Sequence, residues 1–316
     1  GTGRQPGGLR RDLQAARHHR VGVTLSTGDP ESTAGGPVAD RYARPEDAFY
    51  RLEEDRLVPG PLCGGPWDPE HQHGGAVSGI LAHLVELVPT ATPMRFCRHT
   101  VELMRGVPMR TLTPEVEVLR DGRRLQVVRA SLVDDSTEVA RATSVRMRVA
   151  DSPNPVDVDM TAHVDDEPPP FPAEPEPSFS MPGIGVPGFL RAVELRRSGG
   201  GYRTGAPGIL WLRMHCRVVE GVDPSPFVLL ATVGDMLSMA AQYLDPEKWM
   251  TINPDLTIQT FRDPVGEWIG LLGLHKNDSD GIGMSEAVLY DASGRIGRGT
   301  SSILIEARRS GSGGSP

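Results

Sequence analysis

A chain of 316 residues, 38% hydrophobic and 23% charged, has the makeup of a globular protein long enough for two domains. No apolar run reaches the length of a membrane span, and the first thirty residues lack the apolar core of a signal peptide, so no membrane partner is expected. Eight acids without a single Lys or Arg fall in residues 151–180 and account for the whole net charge of −8; the neutral remainder argues against nucleic-acid binding.

In chain order, residues 1–45 are rich in Gly, Arg, Ser and Thr and predict a disordered tail, with Arg10, Arg11, Arg17 and Arg20 as a possible basic arm. A first domain is expected over 46–150. It opens with a strand at 48–57 and a Gly/Pro-rich loop ending in His71-Gln72-His73-Gly74-Gly75. A helix over 76–88 follows, apolar almost all round and therefore buried on most of its surface. Strand patterns occupy 97–106, 115–120, 125–134 and 139–149, with Asp121-Gly122 as a two-residue hairpin signal. Residues 151–190 read as an extended linker, because the eight prolines in 151–180 oppose a packed element. A second domain over 191–309 repeats the order: strand 209–219, helix 229–244, then strands 255–262, 268–275, 284–291 and 296–307, before a flexible tail at 310–316.

The repetition extends to residue identity. Residues 130–144 (ASLVDDSTEVARATS) and 287–301 (AVLYDASGRIGRGTS) agree at seven of fifteen positions with a fixed offset of 157. Chance would give about one. The same offset pairs Thr100 with Thr257 and Arg105 with Arg262. One ungapped register over separate segments marks a duplicated domain, with a period too long for a solenoid. Each half is thus α+β: a strand, one long buried helix, then four strands in consecutive hairpins, which make a mostly antiparallel sheet covering the helix.

Chemistry motifs are few. Cys63, Cys97 and Cys216 are far apart and odd in number, which fits reduced thiols in a cytoplasmic protein. There is no GxSxG, HExxH, Walker A or zinc spacing, and His71 with His73 offers too few ligands for a metal. Residues 183–188 match GxGxxG in letters only, since a Pro-rich linker and not a strand precedes them.

A sheet wrapped around one central helix and duplicated in a single chain resembles the double hotdog fold. His73-Gly74-Gly75 leading into the first helix, and the strand texts TVELMRGVP (100–108) and DLTIQTFRDP (255–264), resemble the thioesterase II (acyl-CoA thioesterase) family over roughly 48–149 and 205–307. The resemblance implies hydrolysis of an acyl-CoA or acyl-carrier thioester with no cofactor beyond the coenzyme A of the substrate, in a chain that pairs into a homodimer. It implies catalytic residues in the second half: an Asp near the helix start, matched by Asp235; a Thr on the next strand, matched by Thr257; and a Gln on the last strand. The Gln is missing, and its place falls on Ser301 or Ser302.

Read without the family, Asp235 is the one charged residue in an apolar stretch, and an ionised carboxylate there needs pairing. It either marks a site or caps a helix start beside Gly234; the apolar run 228–233 ahead of it weighs against the cap. Thr257 is equally an ordinary strand residue, and Asn253-Pro254-Asp255 reads as a turn. Ser301 and Ser302 face opposite sides of their strand. Gly74 and Gly75 either present backbone N–H groups to a carbonyl oxygen or make a tight turn that His73 fixes. Two rival functions stay open: a hydratase or dehydratase on acyl thioesters, which needs an Asp–His pair with only His71, His73 and His83 to supply the His, and a non-catalytic acyl-thioester binding protein.

Overall fold

The computed structural model describes residues 19–20, 48–150, 167–172, 185–199, 207–240 and 243–308. The first half consists of β2 (Ala48–Glu53), β3 (Arg56–Pro59), a 3-10 turn at Pro61–Cys63, α1 (Gly74–Glu86), β4 (Met94–Leu103), β5 (Thr113–Arg120), β6 (Leu125–Asp134) and β7 (Thr137–Arg148), with a two-residue β1 (His19–Arg20) laid on β5. The second half follows with α2 (Gly188–Arg191), β8 (Val193–Ser198), β9 (Gly208–Met214), β10 (Arg217–Val219), α3 (Pro226–Gly234), α4 (Leu237–Ala240), β11 (Trp249–Ile252), β12 (Asp255–Thr260), β13 (Ile269–Asn277), β14 (Ile282–Asp291) and β15 (Gly294–Ala307).

Among the described residues twelve strands make one sheet in the order β1-β5-β6-β7-β4-β12-β15-β14-β13-β9-β8, with β11 on β15. The order of the first half is mirrored by the second, and the two meet at β4 and β12. The central pair of that joint is Thr100 opposite Thr257, two copies of one repeat position, so a local two-fold axis passes between them. α1 packs on β6 and β7 and α4 on β13 and β14. This is the double hotdog, an antiparallel sheet around a buried helix made twice and fused along one edge.

α1 and α3 run antiparallel and touch. Ser225, the N-cap of α3, donates to Glu86 at the end of α1 (2.5 Å). Farther along, a Cβ on Gly79 would stand 2.1 Å from Thr232 Oγ1, and one on Gly75 would stand 2.5 Å from the Thr232 carbonyl. Only glycine lets the helices approach this closely.

Four expectations need correction. The segment 48–57 is a hairpin, not one strand, turning where Glu54 takes a positive φ of 58°. It belongs to a separate three-stranded sheet, β10-β2-β3, and β10 accordingly breaks away from the expected strand 209–219. The helix expected over 229–244 starts earlier, at the Ser225-Pro226 cap, and is broken at Asp235 and Met236. Asp235 therefore ends α3 and caps no helix start. The linker is partly packed as well: Phe189 is fully buried, Gly188 lies against the Pro61 carbonyl, and Phe171 meets Trp211 and Trp268 edge to face at 5.5 and 4.8 Å. The rest of 151–184 lies outside the described residues, as do most of 1–47 and all of 310–316.

Burial leaves two histidines neutral. His83 and His99 both have pKa values lowered to about 4 by desolvation; His99 Nδ1 meets the Ser144 hydroxyl at 2.8 Å. Between pH 6.5 and 4 the unfolded chain gains protons that the folded protein refuses at these sites, so stability falls as pH falls through that window. Glu86 acts oppositely: burial raises its pKa to about 7 from 4.5, and its contribution is lost as pH rises toward 7. Two histidines outweigh one carboxyl between pH 4.5 and 6.5.

Two predictions follow from packing and burial. Gly79→Ala is expected to cost about 1–3 kcal/mol of unfolding free energy by overpacking, and Thr232→Ala in the same chain to recover part of it, read by denaturant titration. His99→Leu, which installs the residue found at the repeat-equivalent position 256, is expected to flatten the acid loss of stability by one proton's worth of slope between pH 6.5 and 4.

Candidate active site

The loop before α1 is tied down where it enters the helix. His73 N–H donates to the Cys63 carbonyl (2.7 Å) and Gln72 N–H to the Val107 carbonyl (2.7 Å). The Gln72 side chain takes the Tyr50 hydroxyl (2.5 Å) and donates to the Pro108 carbonyl (2.7 Å). His73 is the N-cap of α1, its Nδ1 accepting from Gly75 N–H at 2.9 Å, and its ring stacks on Phe189 with centroids 3.9 Å apart. The N-terminus of α1 is thereby held in one position.

Asp235 comes to this point from the other half. It is 6% exposed. Its Oδ1 accepts from Asn253 Nδ2 at 2.6 Å, and its Oδ2 lies 3.2 Å from His73 Nδ1. Gly74 is pressed against it, for a Cβ there would stand 2.8 Å from Oδ2. The carboxylate sits at the unfavourable C-terminal end of its own helix α3 but at the favourable N-terminal end of α1. His73 Nδ1 accepts from Gly75 N–H and lies beside Asp235 Oδ2, so imidazole and carboxylate meet at the start of α1.

These groups open on a cavity of about 690 Å³. Its wall includes the apolar side chains of Leu103, Val107, Leu195, Met236, Met239 and Ile252, and residues of both halves meet in it. His73, Gly74 and Asp235 line it; Gly75, Thr257, Ser301 and Ser302 are not among its lining residues. Thr257 donates its hydroxyl to Thr100 (3.2 Å) at the sheet joint. Ser301 is buried and donates to the Asp255 carbonyl (2.7 Å), while the exposed Ser302 holds the Asp255 carboxylate through its backbone N–H and hydroxyl (2.8 Å each). Both serines thus brace the turn before β12. Asn253 belongs to the site although Asn253-Pro254-Asp255 reads as a turn in sequence. A polar amide 18 residues from a lone buried acid carries no signal until the fold joins them.

The repeat gives the site no twin. Ser78 stands where Asp235 does in the second half, its hydroxyl without a hydrogen-bond partner among the described residues. Nearby, Phe227 stacks on Phe96 (4.0 Å) and lies edge-on to His99 (6.0 Å), filling the corresponding helix–sheet contact.

Residues 64–147 match the family described as the acyl-CoA thioesterase N-terminal domain, and residues 164–304 match the acyl-CoA thioesterase C-terminal domain. The chain belongs to the acyl-CoA thioesterase family. Solved structures agree on the fold. An acyl-CoA thioesterase II from Mycobacterium marinum superposes with a TM-score of 0.55 at 16% identity, covering 84% of this chain and 96% of its own. A TesB protein from Mycobacterium avium subspecies paratuberculosis gives 0.56 at 16%, covering 85% and 100%. A hotdog protein of unknown function from Alicyclobacillus acidocaldarius gives 0.61 at 14%, covering 84% and 98%. No curated protein sequence matches the chain. Within this acyl-CoA thioesterase fold Asp235, expected near a helix start, lies instead at a helix break, facing the first domain's glycine turn.

Asn253→Asp tests the local electrostatics. Two carboxylates would replace an amide–carboxylate contact of 2.6 Å, so the variant is expected to lose stability relative to wild type at pH 7 and to regain much of it at pH 5, as one acid protonates. Thermal unfolding at the two pH values reads the difference.

Proposed function

We propose that the protein hydrolyses acyl thioesters of coenzyme A or of a carrier arm, with Asp235 as general base. The observation that carries this reading is a buried carboxylate, oriented on both oxygens by Asn253 and His73, in the wall of a largely apolar cavity at the N-terminus of α1. Asp235 takes a proton from water as the water oxygen bonds to the thioester carbonyl carbon. Negative charge collects on the former carbonyl oxygen. Gly74 N–H, at the first position of α1 and without a protein acceptor among the described residues, is the nearest donor suited to it. The C–S bond then breaks, the sulfur leaves as thiol with the proton returned from the Asp235–His73 pair, and a carboxylic acid remains. Orientation of the water falls to Asn253 and His73 in this reading, and not to Thr257, Ser301 or Ser302, whose hydroxyls are engaged elsewhere. No cofactor takes part. The apolar wall suits the acyl chain, and the reading further places the chain in the cytoplasm as a homodimer.

One observation favours a second reading. The contact between His73 and Asp235 supplies the Asp–His pair that a hydratase or dehydratase on acyl thioesters needs. The family match favours hydrolysis. Free thiol released from an acyl-CoA supports the hydrolase; enoyl absorbance without thiol supports the hydratase; neither, with retained binding, leaves a binding protein.

Asp235→Asn keeps size and hydrogen bonding but removes the base, so thiol release is expected to fall by about 10²–10⁴-fold with the fold intact. Ser78→Ala, at the equivalent place in the first half, is expected to leave turnover unchanged. Full activity in Asp235→Asn would exclude the carboxylate as base.

A further inference from the structure

Arg105 and Arg262 occupy one repeat position, and Asp134 and Asp291 another. In the second half they form a single structural unit. Arg262 grips the fully buried Asp291 through two bonds of 2.8 and 2.5 Å and donates to the Gly294 and Arg295 carbonyls at 3.0 and 3.1 Å. In the first half the two equivalent positions are not joined. Asp134 pairs with Arg110, and Arg105 has no hydrogen bond or ion pair among the described residues.

Arg105 is exposed and lines the cavity that holds Asp235. Its loop is stapled to the loop before α1. Gln72 N–H reaches the Val107 carbonyl (2.7 Å), Met109 N–H reaches the Glu70 carbonyl (2.9 Å), and the His71 ring rests on Gly106, where a Cβ would be 2.7 Å from Nε2. The backbone under Arg105 is therefore fixed relative to His73 and Gly74. Other bases around the cavity are committed: Arg197 donates to the Met239 and Ala240 carbonyls (3.2 and 3.0 Å), and His71 lies 3.1 Å from Asp68.

Building on the proposed thioester reading, we infer that Arg105 binds a phosphate of the thiol carrier at the mouth of the cavity. The acyl end of such a substrate is apolar and meets the apolar wall, whereas the carrier end is anionic. A planar guanidinium on a rigid loop, with no internal carboxylate to neutralise it, suits two parallel N–H bonds to phosphate oxygens. Arg110 satisfies Asp134 in place of Arg105, which leaves the Arg105 guanidinium available.

Calorimetric titration of the full chain with coenzyme A, phosphopantetheine and pantetheine tests the assignment independently of turnover. Arg105→Ala is expected to weaken coenzyme A binding by about tenfold, the lower range for a charge-assisted bond at an exposed site, and to leave pantetheine unchanged, with Arg105→Lys in between. A matching loss with phosphopantetheine would identify the phosphate next to the arm; a loss confined to coenzyme A would identify the nucleotide phosphates. An unchanged coenzyme A affinity, or an equal loss with pantetheine, would overturn the assignment. Absence of thiol release by the wild type would remove the hydrolase reading and leave these binding ratios legible.

Discussion

The close crossing of α1 and α3 is the constraint on which the site depends. Gly75 and Gly79 bring the first helix against Thr232 of the second, closer than any side chain would permit. That approach, in antiparallel sense, sets the N-terminus of one helix beside the C-terminus of the other. Asp235 then finds in α1 the positive helix end its own helix does not offer, and His73 and Gly74 become its neighbours. Neither half contains a site alone. A wider crossing would strand a buried carboxylate without two of its contacts, a cost of several kcal/mol in most protein interiors.

Duplication set up this geometry, and divergence made it one-sided. At one end of the helix pair the fold keeps Asp235 and a cavity; the repeat-equivalent position carries Ser78, and Phe227 at the start of α3 stacks on Phe96. The Arg–Asp unit is likewise one-sided, joined in the second half and not in the first. The cavity is lined by an acid from one half and by a histidine, a glycine turn and an arginine from the other.

The fold was legible because it is written twice. The offset of 157, the all-round apolar helix 76–88 and the evenly spaced hairpins each demand the same half-unit. What stayed hidden was non-local. The break at Asp235 gives no breaker signal in sequence, since Gly234 beside an Asp also suits a helix start, and the Ser225-Pro226 cap ten residues earlier decides the matter. Asp235 stood out because a lone acid among Val, Leu and Met is costly. Asn253 did not, because an Asn before Pro is ordinary in turns. The pairing of His73 with an acid 162 positions away follows only from the helix crossing.

The sheet joint carries a consequence for how such a chain can change. In a symmetric pair of identical halves, the residue on the axis meets its own copy, and every substitution there is made on both sides at once. Thr100 and Thr257 still hold that position and still share a hydrogen bond, while one step away His99 faces Ile258 and Val101 faces Leu256. Covalent fusion lifted the requirement of self-complementarity. Each neighbour of the axis could then be altered on one side alone, so that a residue harmful in two copies became acceptable in one, and a buried acid could be admitted to one helix while its counterpart remained a serine.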